Sequence, residues 1–521
     1  MKSIVLKKIQ RGLSGLLLCV LAASCMDMEE INAPRYKASD DDIIRDNFKA
    51  GASYRQLQDW VVPTQENAFQ NCENMVGDEY GRYLNYTKSG WNDSYFVFYN
   101  AKESWFGWMF NNVFPKIYTA WNEVRDITDG KGVNFAWAQI LRVAAMQRVT
   151  DTYGPIPYSK VVNNELQVAY DSQENVYREM FADLTESINT LSAYAVSNPG
   201  GTPVADFDKV YDGGFKNWVK FGNSLKLRMA LRIRYAAPGL AQQMAEEAVA
   251  HPGGLITTNA ENATVESPAG KSPLYIMWKT YNDTRVCADI ASYMKGYNDP
   301  RQSAYFQQAT INGVTGYLGK RSGVKNQNEA WGAAYSAPVA GTDDRVIWLT
   351  AAEVAFCRAE GAMLGWAMGG TAGQFYNEGV KLSFEQWGVG GYDSYINDQK
   401  AKQANYVDPN NTGSINAQSD ITIKWEDNTG DEKKLERIIT QKWIALWPLG
   451  QEAWSEHRRT GYPKFFPLGS MTTPNIEVAA RLPFSIDEKK NNTENLTNAI
   501  GLLGGEDNYA TRLWWDAKTN K

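Results

Sequence analysis

Nine stretches of this chain repeat apolar residues at the three-to-four spacing of an α-helix, and almost nothing alternates at the period of two that a half-buried strand requires. The blocks run over 42–60, 104–128, 135–149, 176–191, 215–235, 240–250, 349–364, 374–387 and 435–447. Between them lie long irregular stretches rich in Gly, Asn, Asp and aromatics, at 63–102, 192–214, 252–284, 298–347 and 390–432. Only fragments such as 421–425 look strand-like. The pattern predicts a mainly α-helical fold with large loop insertions and a few short strands. Within 349–387 the small and large residues Ala352, Ala355, Phe356, Ala359 and Met363 recur at helical spacing, and Gly369-Gly370 then breaks the chain before a second amphipathic helix. That is the layout of a helical hairpin of tetratricopeptide type, where small residues let two helices approach. A clean 34-residue self-similarity is not visible, so an ordinary helix pair fits the pattern as well.

The N-terminus predicts where the chain resides. Lys2, Lys7, Lys8 and Arg11 precede an apolar run from Leu13 to Ala23. That run is shorter than the roughly 20 residues a membrane span needs, so it reads as a signal-peptide core. It ends in Leu21-Ala22-Ala23-Ser24-Cys25, which resembles the lipobox of bacterial lipoproteins, with Ala22 where a leucine is usual. The expected organisation is a signal peptide over 1–24, a lipidated Cys25 with an acidic tether to residue 42, and a single domain over 43–521. The resemblance implies lipidation of Cys25 on sulfur and several acyl chains, palmitate among them, that anchor without crossing the membrane.

Removing the leader takes away four basic residues, so the formal charge moves from −6 to −10. Such a surface offers no footprint for nucleic acid. The remaining Cys72, Cys287 and Cys357 are an odd, widely spaced trio, which argues against a disulfide framework or a Cys-x-x-Cys metal site. Cys357 falls in a helical pattern as a small buried hydrophobe. Only two histidines exist, His251 before Pro252-Gly253-Gly254 and His457 between Glu456 and Arg458, and neither belongs to a catalytic or metal motif. His251 is expected to meet last-turn carbonyls, and His457 to be structural. The acidic pairs Asp78-Glu79, Asp206 with Asp208, and Asp343-Asp344 read as solvated surface, with Asp343-Asp344 capping a following helix. Neither a catalytic constellation nor a cofactor or metal is called for.

Four motifs occur in order. Asp151-Thr152-Tyr153-Gly154-Pro155-Ile156-Pro157-Tyr158-Ser159 closes the third helix, with Gly154 supplying the stop. Trp218 to Ala230 (WVKFGNSLKLRMA) is a helix whose basic residues could snorkel past an apolar face. Gln441-Lys442-Trp443-Ile444-Ala445-Leu446 continues to Glu452-Ala453-Trp454 and Arg458-Arg459-Thr460-Gly461-Tyr462-Pro463. Arg481-Leu482-Pro483-Phe484 and Thr511-Arg512-Leu513-Trp514-Trp515-Asp516 complete the set. Together with the lipobox these motifs resemble the SusD/RagB family of outer-membrane lipoproteins, in its SusD-like branch, over nearly the whole mature chain. The resemblance implies tetratricopeptide-like helix pairs as a scaffold, loops that carry the ligand site, and a surface position above a SusC/RagA-like TonB-dependent transporter. It implies capture of oligosaccharides, without catalysis, and their delivery to that transporter. Peptide capture in the RagB manner, a lid with little affinity of its own, and a hydrolase are the competing readings. Trp443, Trp454, Trp514 and Trp515 are expected to pack the scaffold.

A sugar has apolar C–H faces and a ring of hydroxyls, so its receptor needs aromatic faces beside hydrogen-bonding side chains. Three loop-like stretches supply that mixture: 83–95, 273–283 and 328–335. From them we nominate Trp91, Asn92, Tyr95, Trp278, Tyr281, Trp331 and Tyr335, with Trp91 and Trp278 foremost. The competing role for each ring is to pin a long loop to the scaffold.

Overall fold

The predicted helical blocks become α1 (Phe48–Val61), α2 (Trp108–Thr128), α3 (Gly132–Tyr153), α4 (Gln173–Ser197), α5 (Phe215–Arg232) and α6 (Pro238–Ala250). After a loop-rich middle containing α7 (Ala288–Gly296) come α8 (Ala351–Met363), α9 (Ala372–Gln386), α10 (Asp431–Ala445), α11 (Gly450–Thr460) and α12 (Thr493–Leu503). This computed structural model describes residues 48–88, 94–161, 167–469, 476 and 478–519. The first predicted helix is described only from residue 48, and the signal peptide, Cys25 and the tether lie outside the described residues. From Gly51 onward the chain forms one unit.

Successive helices pack as hairpins: α2 on α3, α3 on α4, α5 on α6, and α8 on α9, with α4–α5, α5–α8 and α8–α10 contacts joining the pairs. Local chemistry sets their ends. Ser172 accepts a hydrogen bond from Asn175 N at the start of α4, Thr350 accepts one from Glu353 N at α8, and Thr371 with Gln374 makes a reciprocal capping box at α9. The close approach foreseen for α8 and α9 is real: a Cβ on Gly379 would lie 2.8 Å from the Phe356 ring. Helix α3 runs four residues past its predicted end and stops at Gly154, whose φ of +95° suits glycine alone.

Three two-stranded ladders are described. β1 (Leu84–Tyr86) pairs antiparallel with β3 (Thr284–Val286), β2 (Ala263–Val265) with β6 (Val346–Leu349), and β4 (Ala309–Ile311) with β5 (Val314–Gly316). Several expectations are corrected. Residues 421–425 form no strand; Ile421 and Ile423 are instead buried anchors whose carbonyls accept bonds from Tyr297 and Tyr376. The 63–102 stretch is not all loop, because Gln70–Asp78 winds as a wide π-helix. Asp78 and Glu79 lie inside rather than at the surface, and burial pushes Asp78 well up and Glu79 to about 8. Asp208 is also buried, where it accepts bonds from the backbone of Val210, Tyr211 and Gly213 and from the Trp218 indole.

The four sequence motifs meet in the interior. Trp443, Trp454 and Trp515 are fully buried and Trp514 is half-buried. Three basic residues of α5, Lys226, Arg228 and Arg232, are buried instead of snorkelling to water, whereas Lys216 is exposed and Lys220 half-buried. Arg228 grips Glu353 with two hydrogen bonds, 2.7 and 2.5 Å, and Arg232 pairs with Glu452 while lying 3.6 Å from both Asp151 and Glu456. Lys442 reaches Glu456 at 3.1 Å, and Arg459 joins Glu456 to Glu360 at 2.7 and 2.6 Å. Against the cost of burial, Arg459, Lys442 and Arg232 hold the Glu456 carboxyl well below its ordinary value. Hydrophobic burial alone would not select these partners; an ionic lattice in a dry core does, since removing one member strands another charge.

Candidate ligand-binding platform

The three nominated loops converge. The β1–β3 ladder sets Leu84 opposite Val286 and Tyr86 opposite Thr284, so the segment after β1 runs beside the segment before β3. Thr87 N donates to Asp283 O at 2.8 Å. The third loop is tied in by Asn326, whose amide donates to Thr87 O at 2.6 Å, and by Arg285, which donates to Ala333 O at 3.0 Å. Lys88 stands at the junction, 2.7 Å from Glu329 and 3.6 Å from Asp283, while Gln70 of the π-helix donates to the other Asp283 oxygen. Burial lifts the Asp283 pKa to about 6, opposed by Lys88; hydrogen bonding from Lys88 holds Glu329 below its usual range.

The second loop presents the rings. Pro273 opens a short turn of helix at its first position, where its missing N–H costs nothing, and the chain widens into a π turn over Ile276–Thr280. Met277 is fully buried and anchors that turn. Tyr275 and Trp278, three residues apart, sit edge to face with centroids 5.9 Å apart, and both are half-buried. The indole nitrogen of Trp278 is buried, so what the ring shows to solvent is carbon surface. Lys279 Nζ lies 5.3 Å from its centroid. Tyr281 and Trp331 are also half-buried, with Asn328 capping the short helix that carries Trp331.

Two nominated rings are interior. Tyr95 is 4% exposed and packs between Tyr86 (4.3 Å) and Phe98 (5.7 Å). Tyr335 is 2% exposed and donates its hydroxyl to Asp408 at 2.9 Å. Both pin their loops, Tyr95 by packing against neighbouring rings and Tyr335 by burial with its hydroxyl held on Asp408. Trp91 and Asn92 lie outside the described residues. Lys88, Tyr275, Asn282 and Glu329 were not singled out from sequence; Glu329 is 241 residues from Lys88, and strand pairing together with the Asn326 and Arg285 hydrogen bonds unites the segments.

The other candidate groups are structural. His251 accepts a bond from Gly253 N at 3.0 Å instead of meeting helix carbonyls, consistent with a neutral ring whose pKa burial lowers. His457 lies 3.0 Å from Pro463 O and stacks on Phe465 at 4.1 Å. Asp343 and Asp344 accept from Gly270 N and Gly341 N, organising a turn before β6 rather than capping a helix. Cys72, Cys287 and Cys357 are buried free thiols. Among the described residues no group of three His, Cys, Asp or Glu is disposed to hold a metal ion.

With this geometry in place, comparison with known proteins is direct. Among curated proteins none matches the chain. A SusD homologue of Bacteroides thetaiotaomicron is 40% identical, superposes with a TM-score of 0.85, and matches over 90% of this chain and 99% of its own. A SusD homologue of Bacteroides uniformis is 41% identical (TM-score 0.85, 90% and 100% covered). A chitin-binding SusD homologue of Flavobacterium johnsoniae is 34% identical (TM-score 0.86, 91% and 99% covered). The family model described as SusD-like, SusD and RagB outer membrane lipoprotein, matches residues 30–516. Helix pairs, buried motifs and matched length therefore agree, and the chain belongs to the SusD-like family of outer-membrane lipoproteins.

Proposed function

We propose that this protein is anchored through Cys25 at the outer face of the outer membrane, captures oligosaccharides, and hands them to a SusC-like TonB-dependent transporter without altering them. The observation that carries the reading is the convergence of three distant loops: the segments that carry the half-buried rings of Trp278, Tyr281 and Trp331 are tied together through Lys88, Asn282 and Glu329. Flat carbon faces next to donors and acceptors are what a pyranose ring requires. Trp91 and Asn92 belong to the same proposal from sequence. The chitin-binding relative supports glycans over peptides as the ligand class.

Such open stacking sites bind at millimolar to tens of micromolar strength, about −4 to −6 kcal/mol. Trp278→Ala is expected to weaken retention on glycan-containing affinity gels at least tenfold, about 1.4 kcal/mol, with an unchanged melting curve. Equal retention by variant and parent would refute the site. Peptide arrays run in parallel distinguish peptide capture. Cys25→Ser is expected to move the protein from the detergent-rich to the aqueous phase of a Triton partition; continued membrane partitioning would defeat the anchoring reading.

A further inference from the structure

A second cleft is built from other parts of the chain and shares no residue with the platform. Phe110, Phe114 and Tyr118 recur every four residues along α2, so their rings form one stripe on it. Phe110 stacks on Phe114 with centroids 5.1 Å apart, and Phe114 meets Tyr118 at 4.6 Å. The outer two rings are buried, whereas Phe114 is half-buried. The cleft lined by this stripe has a volume of about 470 Å³ and is bounded also by the short helix Ile486–Asn491. Two hydrogen bonds fix that helix in place: Asn111 donates to Asp487 at 2.6 Å, and Tyr170 to Glu488 at 2.7 Å.

Polar groups with capacity to spare accompany the rings. Each carboxylate uses one oxygen in those bonds, Glu488 Oε2 also accepting from Asn492 at 3.0 Å. The second oxygen of each has no hydrogen bond or ion pair among the described residues. The side chains of Thr119 and Asn491, both exposed on the lining, likewise make none there. Donors and acceptors are therefore both on offer. Among the described residues no lysine, arginine or histidine lines the cleft, and Lys489, next to Glu488, is 3.1 Å from Asp507 instead. An acidic ligand would meet two like charges and no opposite one. A purely apolar ligand would take water from four polar side chains and return no hydrogen bond. The described lining is helix and irregular chain, without a strand edge on which an extended peptide could pair. A pyranose chain meets every demand, with C–H faces for Phe114 and hydroxyls for the polar groups. At roughly 150 Å³ for a six-membered ring, the volume admits about three.

We propose that this cleft is a second carbohydrate site, which takes a short run of neutral pyranose units. One ring face lies against Phe114, and hydroxyls donate to Asp487 and Glu488 and exchange hydrogen bonds with Thr119 and Asn491. The site stands on its own lining and does not require the platform.

Chitohexaose, an uncharged oligosaccharide, is the probe, followed by isothermal titration on the Trp278→Ala protein so that the platform contributes least. Binding is expected to persist there. Adding Phe114→Ala is expected to weaken it at least tenfold, and Phe114→Trp in its place to retain it. Thr119 is exposed on α2 and tolerates a larger side chain, so Thr119→Trp obstructs the cleft without touching the core. It is expected to weaken the same binding at least fivefold, with the circular dichroism of the parent. Trigalacturonic acid, which carries carboxylates, is expected not to compete. No binding by the Trp278→Ala protein, binding insensitive to both cleft variants, or competition by the acidic trimer each overturns the proposal. The platform is judged by the effect of Trp278→Ala on gel retention, and the cleft by further substitutions made in its absence, so the two readings fail separately.

Discussion

Glu353 is the carboxylate on which the ionic core can be tested most cleanly. It is 1% exposed, and its two oxygens accept both hydrogen bonds that Arg228 directs at it, with Lys442 4.0 Å away. Glu353→Gln keeps the size but removes the charge, leaving a guanidinium 6% exposed whose nearest remaining carboxylate, Glu452, is 3.9 Å from Arg228 Nε. Breaking one side of a buried pair costs about 3–5 kcal/mol. Removing both sides, as Arg228→Met with Glu353→Met, leaves no stranded charge and is expected to fall within about 1–2 kcal/mol of the parent. A unit running from Gly51 to Lys521 has an unfolding entropy near 1 kcal/mol per kelvin, so the single variant is expected to melt about 3–5 °C lower in calorimetry. Glycan affinity is expected to stay the same, because the platform is elsewhere. A Glu353→Gln protein that melts with the parent, or a double variant worse than the single, would refute the reasoning.

Two further perturbations test local physics. The folded-state pKa of Asp283, about 6, exceeds its unfolded value of 3.8. Across that window the folded protein keeps a proton the unfolded chain has released, so this group's contribution to stability falls as pH rises and is constant above it. Urea titrations of the parent and Asp283→Asn between pH 4 and 7 are expected to diverge only there, the parent losing stability with rising pH relative to the variant; parallel curves would contradict the burial of this carboxyl. Gly154→Ala must adopt φ near +95° with a Cβ 2.9 Å from Leu503 Cδ2. It is expected to lower stability by about 1–3 kcal/mol in the same titration, and an unshifted midpoint would mean the helix stop is made otherwise.

Helices were legible because burial on one face writes a period into the chain. Eight of the nine predicted blocks lie wholly within the described residues and contain helix, with α3, α4 and α9 displaced by only a few residues. Helices α7, α11 and α12 were not read: α11 is densely polar, yet Glu452, Glu456 and Arg459 are buried because they find Arg232, Lys442 and Glu360 on other helices, and Arg458 because it donates to Ala480 O and to Ser455. A hydropathy period cannot register a charge whose burial depends on a partner more than 200 residues away, as with Arg232 and Glu452. The same limit governs the site. Aromatic, Asn-rich stretches marked three loops that the fold brings together, but whether a ring faces water or interior follows from packing: Trp278 has a buried nitrogen edge and a partly open face, and Tyr95 is enclosed beside Tyr86 and Phe98. Small residues on the two helices of a hairpin did carry a contact in advance, since Gly379 opposite Phe356 leaves no room for a side chain.

The pairing of Arg228 and Arg232 with Glu353 and Glu452 also bears on how such a chain matures. As the chain is delivered the N-terminal portion arrives first, carrying guanidinium groups whose direct hydrogen-bonded counterions, Glu353 and Glu452, have not yet emerged. Water must keep those groups solvated, so α5 has no stable place in a partial core and stays provisional until the stretch beyond residue 450 is delivered. Assembly is thereby tied to completion, and a prematurely ended polypeptide lacks the anions that would let it close.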